Sequence, residues 1–360
     1  MVHTVVVREP GGPWSLEDAR LQDPGPGQVR VRVDAVGLCR TDVSLANGGL
    51  PAAFPLVPGH EGIGTVLQPG AGYAAGDRVL FLWTAPCGEC WYCARGDGNL
   101  CERPPASPPV ELADGALATP GLGLGAFAEE IVTAAACVRP LPIPLPDAQA
   151  AVLGCAVSTG FGAVRITAGV AAGESVVVVG AGGVGSSVIQ SARDVGAAPV
   201  IAVDPVPQRR ALALRLGAHE AFEPGLTLGR RVRDATGGRG ADHVLECVGR
   251  AATIRQAWQL ARRGGQVVVV GAGARTDQLQ FSALELFQSA KTLRGSVHGS
   301  FSVDRDLPLL CQRVAAGAYD LAGLVGEPMG LDRMADALAA LDAGAVGRSV
   351  FAPALRGAGR

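Results

Sequence analysis

Lysine is almost missing from this chain: Lys291 is the single example among 31 basic residues, which 33 acidic ones offset to a net charge of −2 over 360 residues. No basic patch and no run of like charge occurs, which removes the electrostatic case for nucleic acid or an anionic membrane surface as a partner. The arginine excess points to a GC-rich genome rather than to phosphate binding. Long uncharged apolar runs are absent too, so no segment is expected to span a bilayer. The start, Met1-Val2-His3-Thr4-Val5-Val6-Val7, lacks the basic residues and apolar core of a signal peptide. A cytoplasmic protein is expected, in which nine cysteines serve as ligands, nucleophiles or core residues rather than as disulfides. No repeat of solenoid period is found. With 18% charged and 48% apolar residues, disorder is excluded and a compact enzyme of two domains is the expectation at this length.

What is present centres on Ser175-Val176-Val177-Val178-Val179-Gly180-Ala181-Gly182-Gly183-Val184-Gly185. Four successive valines read as a strand buried on both faces, and Gly180, Gly182 and Gly185 supply G-x-G-x-x-G where a helix begins. Such glycines let the backbone turn tightly and approach a pyrophosphate, whose charge then rests on the helix N-terminal amides, here those of Gly183, Val184 and Gly185. A second strand, Val200 to Val203, ends in Asp204, at the spacing of a ribose-binding carboxylate. That carboxylate accepts from a 2′-hydroxyl and repels a 2′-phosphate, so NAD is expected over NADP, a preference that Arg209 and Arg210 weaken.

Taken in order, Val2 to Val7 and Val29 to Val36 read as strands, and Gly62 to Val66, Arg78 to Leu82 and Phe127 to Val132 extend a β-rich first domain. Strands and helices alternate only beyond about residue 157, with four parallel strands, Glu174 to Gly180, Val200 to Asp204, His243 to Val248 and Gln266 to Gly271. Helical periodicity covers Val184 to Val195 and Ala251 to Ala261, and after about residue 299 it covers Leu307 to Ala316 and Asp332 to Leu341. The expected division is 1–156, with a lobe at 87–101; 157–299, a doubly wound nucleotide domain; and 300–360, a tail returning to the first domain and ending in the strand Ser349 to Phe351.

Cys87, Cys90, Cys93 and Cys101 give C-x2-C-x2-C-x7-C, four thiolates near enough along the chain to wrap one tetrahedral ion. Zinc prefers such a set and, with no position left for water, would be structural; an iron–sulfur cluster uses the same ligand type. Cys39, His60 and Cys155 could each be core residues taken singly. Together they form the Cys2His set that leaves a fourth zinc position open for water or substrate.

These stretches resemble the zinc-dependent alcohol dehydrogenases of the medium-chain dehydrogenase/reductase family over nearly the whole chain. The resemblance lies in G-x-C-x-T-D around Cys39, G-H-E-G-x-G from Gly59 to Gly64, the four-cysteine lobe, Leu153-Gly154-Cys155 with Ser158-Thr159-Gly160, the glycine turn, Glu246 to Arg250 and Gly347-Arg348-Ser349-Val350. It implies an α/β fold, a Rossmann doubly wound parallel sheet plus a β-rich GroES-like catalytic domain, in a homodimer or homotetramer. It also implies two zinc ions per subunit, a catalytic one on Cys39, His60 and Cys155 and a structural one on the four-cysteine lobe. Glu61 would lie behind the catalytic metal or ligate it occasionally, and Asp42 would orient His60 through its other ring nitrogen. The catalytic zinc would act as a Lewis acid on the alcohol while NAD takes the hydride. Thr41 would take the alcohol proton, Arg40 and Arg348 would pair with the pyrophosphate, Thr159 and Arg250 would touch the cofactor, and Trp83 would line the substrate pocket. Surface solvation for the arginines and plain core packing for Trp83 are the competing readings.

Two departures stand out. Ser44 occupies the position where liver-type members end their proton relay in histidine, and serine is no base near neutral pH. The segment between Cys101 and Cys155 is shorter than in those enzymes, so the substrate channel is this chain's own. The expected activity is reversible oxidation of a primary, hydrophobic or aromatic alcohol with NAD. Alternatives are a thiol-dependent formaldehyde dehydrogenase, suggested by Lys291-Thr292-Leu293-Arg294-Gly295 and Asp304-Arg305-Asp306-Leu307-Pro308; a reductase of conjugated C=C or C=N bonds; and a non-catalytic zinc-stabilised binding protein. His3, His219, His243 and His298 match no ligand motif and receive no role.

Overall fold

A computed structural model describes residues 1–355, which form two compact units, 1–155 with 325–355 and 156–324. In the first, Val2–Val7, Trp14–Arg20, Val110–Leu112, Leu117–Pro120 and Leu56–Val57 close a small barrel. A second sheet runs in the order Val138–Pro140, Arg78–Phe81, Gly62–Gln68, Gln28–Gly37 and Val350–Phe351, and Glu130–Ala134 also pairs with Gln28–Gly37. The alternation of Val29, Val31 and Val33 puts all three into one core with Val66, Phe81 and Phe127. Val350 and Phe351 pair antiparallel with Gly37 and Val36, so the carboxyl-terminal chain completes the sheet that carries Cys39 just beyond its longest strand.

The second unit is a six-stranded parallel sheet in the order Glu220–Phe222, Val200–Val203, Val176–Val179, Ala241–Glu246, Ala261–Val269 and Thr292–Gly295. The central four valines are buried, as a strand covered on both faces requires. Six strands replace the expected four. Glu220–Phe222 has only three residues, and Thr292–Gly295 is exposed throughout with an arginine inside it, so neither carries an apolar pattern to read. The barrel strands at 14–20, 110–112 and 117–120 were unread for similar reasons of shortness and polarity.

Residues 300–324, expected in the returning tail, belong instead to this unit. The helix there spans Val303–Ala315, beginning four residues ahead of Leu307, where the apolar periodicity starts. Asp194, at the end of helix Gly183–Asp194, explains the placement: it is nearly inaccessible and pairs with both Arg165 and Arg313, so a buried carboxylate holds the later helix. Among the described residues no single helix is long and apolar enough to cross a membrane.

Candidate active site and metal centres

Cys39 sits at the N-cap of a short helix, Arg40–Ala46, immediately after the turn that ends Gln28–Gly37. Asp42, in the first turn of that helix, is fully buried and uses both carboxylate oxygens. Oδ2 accepts from Cys39 N at 3.1 Å, and Oδ1 accepts from Gly59 N at 3.0 Å while lying 2.8 Å from His60 Nδ1. One carboxylate therefore joins the helix to the Pro58-Gly59-His60 turn and fixes the imidazole with Nε2 directed away from it. Gly59 is required there: its φ is +103°, and a Cβ would lie 2.5 Å from Phe127 N.

Cys155 completes the group. Its Sγ is 3.4 Å from His60 Nε2, and the ligand atoms of Cys39, His60 and Cys155 all fall within 4.8 Å of one another, with each residue buried. A tetrahedral zinc with bonds of about 2.0–2.3 Å sets its ligands about 3.5–4 Å apart, so this donor set fits the ion and leaves one position open. The Cys155 hydrogen bond draws the Cys39 thiol well below its ordinary range and raises that of Cys155, giving one thiolate in the pair. Thr41 Oγ1 lies 3.6 Å from Cys39 Sγ, and the Trp83 ring stands edge-on to His60 at 6.0 Å.

Glu61 and Arg348 form a buried ion pair, Nε to Oε1 at 2.9 Å and Nη2 to Oε2 at 3.1 Å, and Arg348 Nη1 also donates to Leu38 O at 3.3 Å. Burial pushes the Glu61 carboxyl up, and the Arg348 guanidinium opposes it. The structure thus engages Arg348, expected at a pyrophosphate, with Glu61, and leaves Glu61 outside the three-ligand group. A guanidinium only 8% exposed needs such a counter-ion, a partnership no local motif announces. Arg40, the other expected pyrophosphate partner, is tied to Asp342 Oδ1 at 2.8 Å and Leu341 O at 3.1 Å. Ser44 Oγ donates to Arg40 O at 3.1 Å within its own helix.

The second thiol group is Cys87, Cys90, Cys93 and Cys101, again within 4.8 Å, with Cys87–Cys93 Sγ atoms 4.0 Å apart and Cys90–Cys101 3.9 Å apart. The helical turn Trp91–Ala94 places Cys90 and Cys93 on one side, and the turn Gly98–Leu100 returns Cys101. Backbone N–H groups of Cys93 and Glu102 bring the Cys90 thiol down to about 6, as suits a thiolate. Four sulfurs at these separations fit a closed zinc site.

In the second unit, Gly180 has φ +89° and a Cβ on Gly185 would lie 1.8 Å from Gly180 O, whereas Gly182 faces open space. The turn is a cradle with room for a ligand over the N-terminus of Gly183–Asp194, and Val184 lies half-buried in its first turn. Asp204 is buried and accepts from Ala181 N and Val206 N, both at 2.8 Å, one bond to each carboxylate oxygen. Thr159 is buried, Arg209 half-buried and Arg250 exposed at the start of helix Ala251–Leu260. Sequence reasoning passed over His298, which is buried with Nε2 2.8 Å from Ser158 Oγ; its only signal was a polar Ser-x-His-Gly-Ser stretch following a strand.

Fold and site together define a zinc-binding dehydrogenase with a GroES-like unit. Residues 25–143 match the alcohol dehydrogenase GroES-like domain and residues 183–316 the zinc-binding dehydrogenase domain. The chain belongs to the zinc-dependent alcohol dehydrogenases of the medium-chain dehydrogenase/reductase family. It is 34% identical to a putative alcohol dehydrogenase D of Mycobacterium tuberculosis, over 91% of this chain and 93% of that one. It is 32% identical to an S-(hydroxymethyl)glutathione dehydrogenase of Escherichia coli, over 95% and 97%. A solved alcohol dehydrogenase zinc-binding domain protein from Burkholderia ambifaria superposes with a TM-score of 0.89 over 98% of both chains, at 32% identity. The chain is a zinc-dependent alcohol oxidoreductase acting on small molecules, and NAD is the cofactor typical of the family.

Proposed function

We propose that Cys39, His60 and Cys155 hold the catalytic zinc of an enzyme that oxidises primary, hydrophobic or aromatic alcohols with NAD, and that Cys87, Cys90, Cys93 and Cys101 hold a structural one. The observation that carries this is the buried Cys2His group with one open position and an oriented imidazole. Zinc bound there supplies a Lewis acid for the alcohol oxygen, and NAD supplies the hydride acceptor. Thr41 Oγ1, beside Cys39, would accept a hydrogen bond from the alcohol hydroxyl and relay its proton by giving up its own. Asp42 keeps His60 in the tautomer whose Nε2 is a ligand. Trp83, its ring against that of His60, lines the substrate pocket. With Ser44 bonded to its own helix, no side-chain base ends a relay there, and the proton leaves through water. Gly180 to Gly185 seat the pyrophosphate, Asp204 the adenosine ribose, and Thr159, Arg209 and Arg250 line the cofactor's path.

Metal analysis beside NADH formation tests the assignment. Wild type should carry two zinc ions per chain; His60→Ala should carry one and lose turnover on aliphatic and benzylic alcohols alike. Turnover retained by that variant rejects the mechanism. Likeness to the S-(hydroxymethyl)glutathione dehydrogenase supports a second reading, oxidation of a thiol adduct, and an absolute requirement for an added thiol would establish it.

Thr292–Gly295 is an edge strand exposed throughout, with Leu284, Leu286, Phe287 and Val297 exposed nearby. Such an edge needs a cover, and a homodimer joined along it is proposed; light scattering at the monomer mass would rule it out. Nine free thiols, two of them in no metal group and nearly inaccessible, suit a reducing cytoplasm.

A further inference from the structure

The order of strands in the second unit sets the direction in which a dinucleotide lies. The glycine turn ends Val176–Val179, and Asp204 ends Val200–Val203 to one side of it. Pyrophosphate and adenosine ribose therefore fall there, and the other nucleotide extends over the carboxyl ends of Ala241–Glu246, Ala261–Val269 and Thr292–Gly295.

The segment that follows the last of these strands is strained. His298, Gly299 and Ser300 take successive left-handed conformations, with φ of 51°, 68° and 54°. Glycine adopts this freely, whereas histidine and serine do so at a cost that the surroundings must repay. Several contacts hold the segment against the helix at 156–168. Ser158 Oγ lies 2.8 Å from His298 Nε2, and Thr167 Oγ1 lies 2.8 Å from Ser296 Oγ and 2.9 Å from Ser300 Oγ. A Cβ on Gly162 would come within 2.3 Å of Gly299 O, and one on Gly299 within 2.5 Å of Thr159 O, so the two backbones touch. Phe301 packs on the His298 ring at 5.7 Å.

We infer that His298, through its hydrogen bond to Ser158, is a positioning residue that holds the 296–300 segment in its left-handed form as the seat for the nicotinamide half of the cofactor. The inference rests on the NAD reading above. His298 acts by keeping a strained segment in place at the edge of the sheet. Loss of the bond lets that segment relax, which alters the seat of one nucleotide and leaves the other, four strands away at Asp204, intact. A strut that served only folding would lower stability and weaken both halves together.

Calorimetric titration of the intact enzyme with NAD+ and with ADP-ribose, which lacks only the nicotinamide, separates these outcomes. His298→Leu should weaken NAD+ about tenfold, the loss of one buried hydrogen bond, with ADP-ribose held within twofold. Ser158→Ala should reproduce the loss without altering the 296–300 sequence, and it carries the test should His298→Leu fail to fold. His298→Gln should restore part of the affinity, because its carboxamide reaches the position of Nε2 and can bond Ser158 Oγ. In kinetics, KM for NAD+ should rise more than kcat falls. Equal weakening of both ligands, or unchanged NAD+ affinity, overturns the assignment. Failure of the wild type to bind ADP-ribose would instead overturn the cofactor reading beneath it.

Discussion

The two thiol groups of the first unit are built in opposite ways. Cys87, Cys90, Cys93 and Cys101 lie along one lobe whose regular structure amounts to the turns Trp91–Ala94 and Gly98–Leu100. Exposed Trp91 and the cation–π contact of Arg95 on it show how little core that lobe has. Cys39, His60 and Cys155 come instead from a helix cap, a tight turn and the last residue of the unit's first segment, and the sheet and its core bring them together. This contrast predicts a lobe that depends on its ion to fold and a buried site that the surrounding sheet supports without one. Spacing along the chain reveals the first kind of site and conceals the second.

The largest effect that could break this contrast is on turnover. Cys39→Ala should abolish activity by at least about a thousandfold while removing one zinc and shifting the melting temperature little, because the surrounding fold supports the site. Cys101→Ser should do the reverse. It should release the lobe zinc, lower the melting temperature by on the order of 5–10 °C and expose the lobe to proteases, with a smaller loss of turnover. An unchanged melting temperature in Cys101→Ser would show that the lobe folds without metal and erase the distinction.

Legibility in the sequence follows the same divide. The glycine turn, its strand and Asp204 are contiguous or nearly so, and their geometry is local; the four lobe cysteines are likewise close in sequence. Cys39, His60 and Cys155 were grouped by donor type and joined to a catalytic role by resemblance, since no spacing rule links residues so far apart. What stayed hidden depends on contacts between distant segments. Arg348 reads as a surface or phosphate-binding arginine, yet burial against Glu61 decides its partner. The strand Thr292–Gly295 has no apolar face, so only its register with Gln266–Val269 reveals it. The first turn of the helix Val303–Ala315 carries Asp304, Arg305 and Asp306, so its apolar periodicity shows only from Leu307. His298 drew no role because its partner Ser158 lies 140 positions away.

Asp42 offers a smaller and sharper test of the buried site. It joins Cys39 N, Gly59 N and His60 Nδ1, so it organises two ligands without touching a metal. Asp42→Asn keeps the shape but leaves one carboxamide N–H₂ facing a donor. Competition with a chelator should show zinc held about 10–100-fold more weakly at the buried site, with the lobe zinc unchanged. Equal weakening at both sites would mean that the variant perturbs the whole unit, and the sites would then not be independent.

The smallest effect supplies the control, a perturbation of folding that touches neither thiol group. Asp242, in the second unit, accepts from Ser175 N at 2.8 Å, Ser175 Oγ at 2.5 Å and Arg262 Nε at 2.6 Å. Burial raises its carboxyl, but the Ser175 bonds and Arg262 outweigh that and bring it from an ordinary 3.8 to about 2. A folded value below the unfolded one means that the unfolded chain takes up the proton first, so the carboxylate's contribution is present above about pH 4 and is lost as pH falls toward 2. After allowance for partial exposure it amounts to on the order of 1 kcal/mol. Both zinc ions leave in the same range as their ligands protonate, which would mask the effect in wild type alone. Asp242→Asn loses the metals equally, so the difference in melting temperature between the two proteins isolates the carboxylate. That difference should shrink steadily from pH 5 to pH 2; a constant difference would show that Asp242 titrates as it does in the unfolded chain.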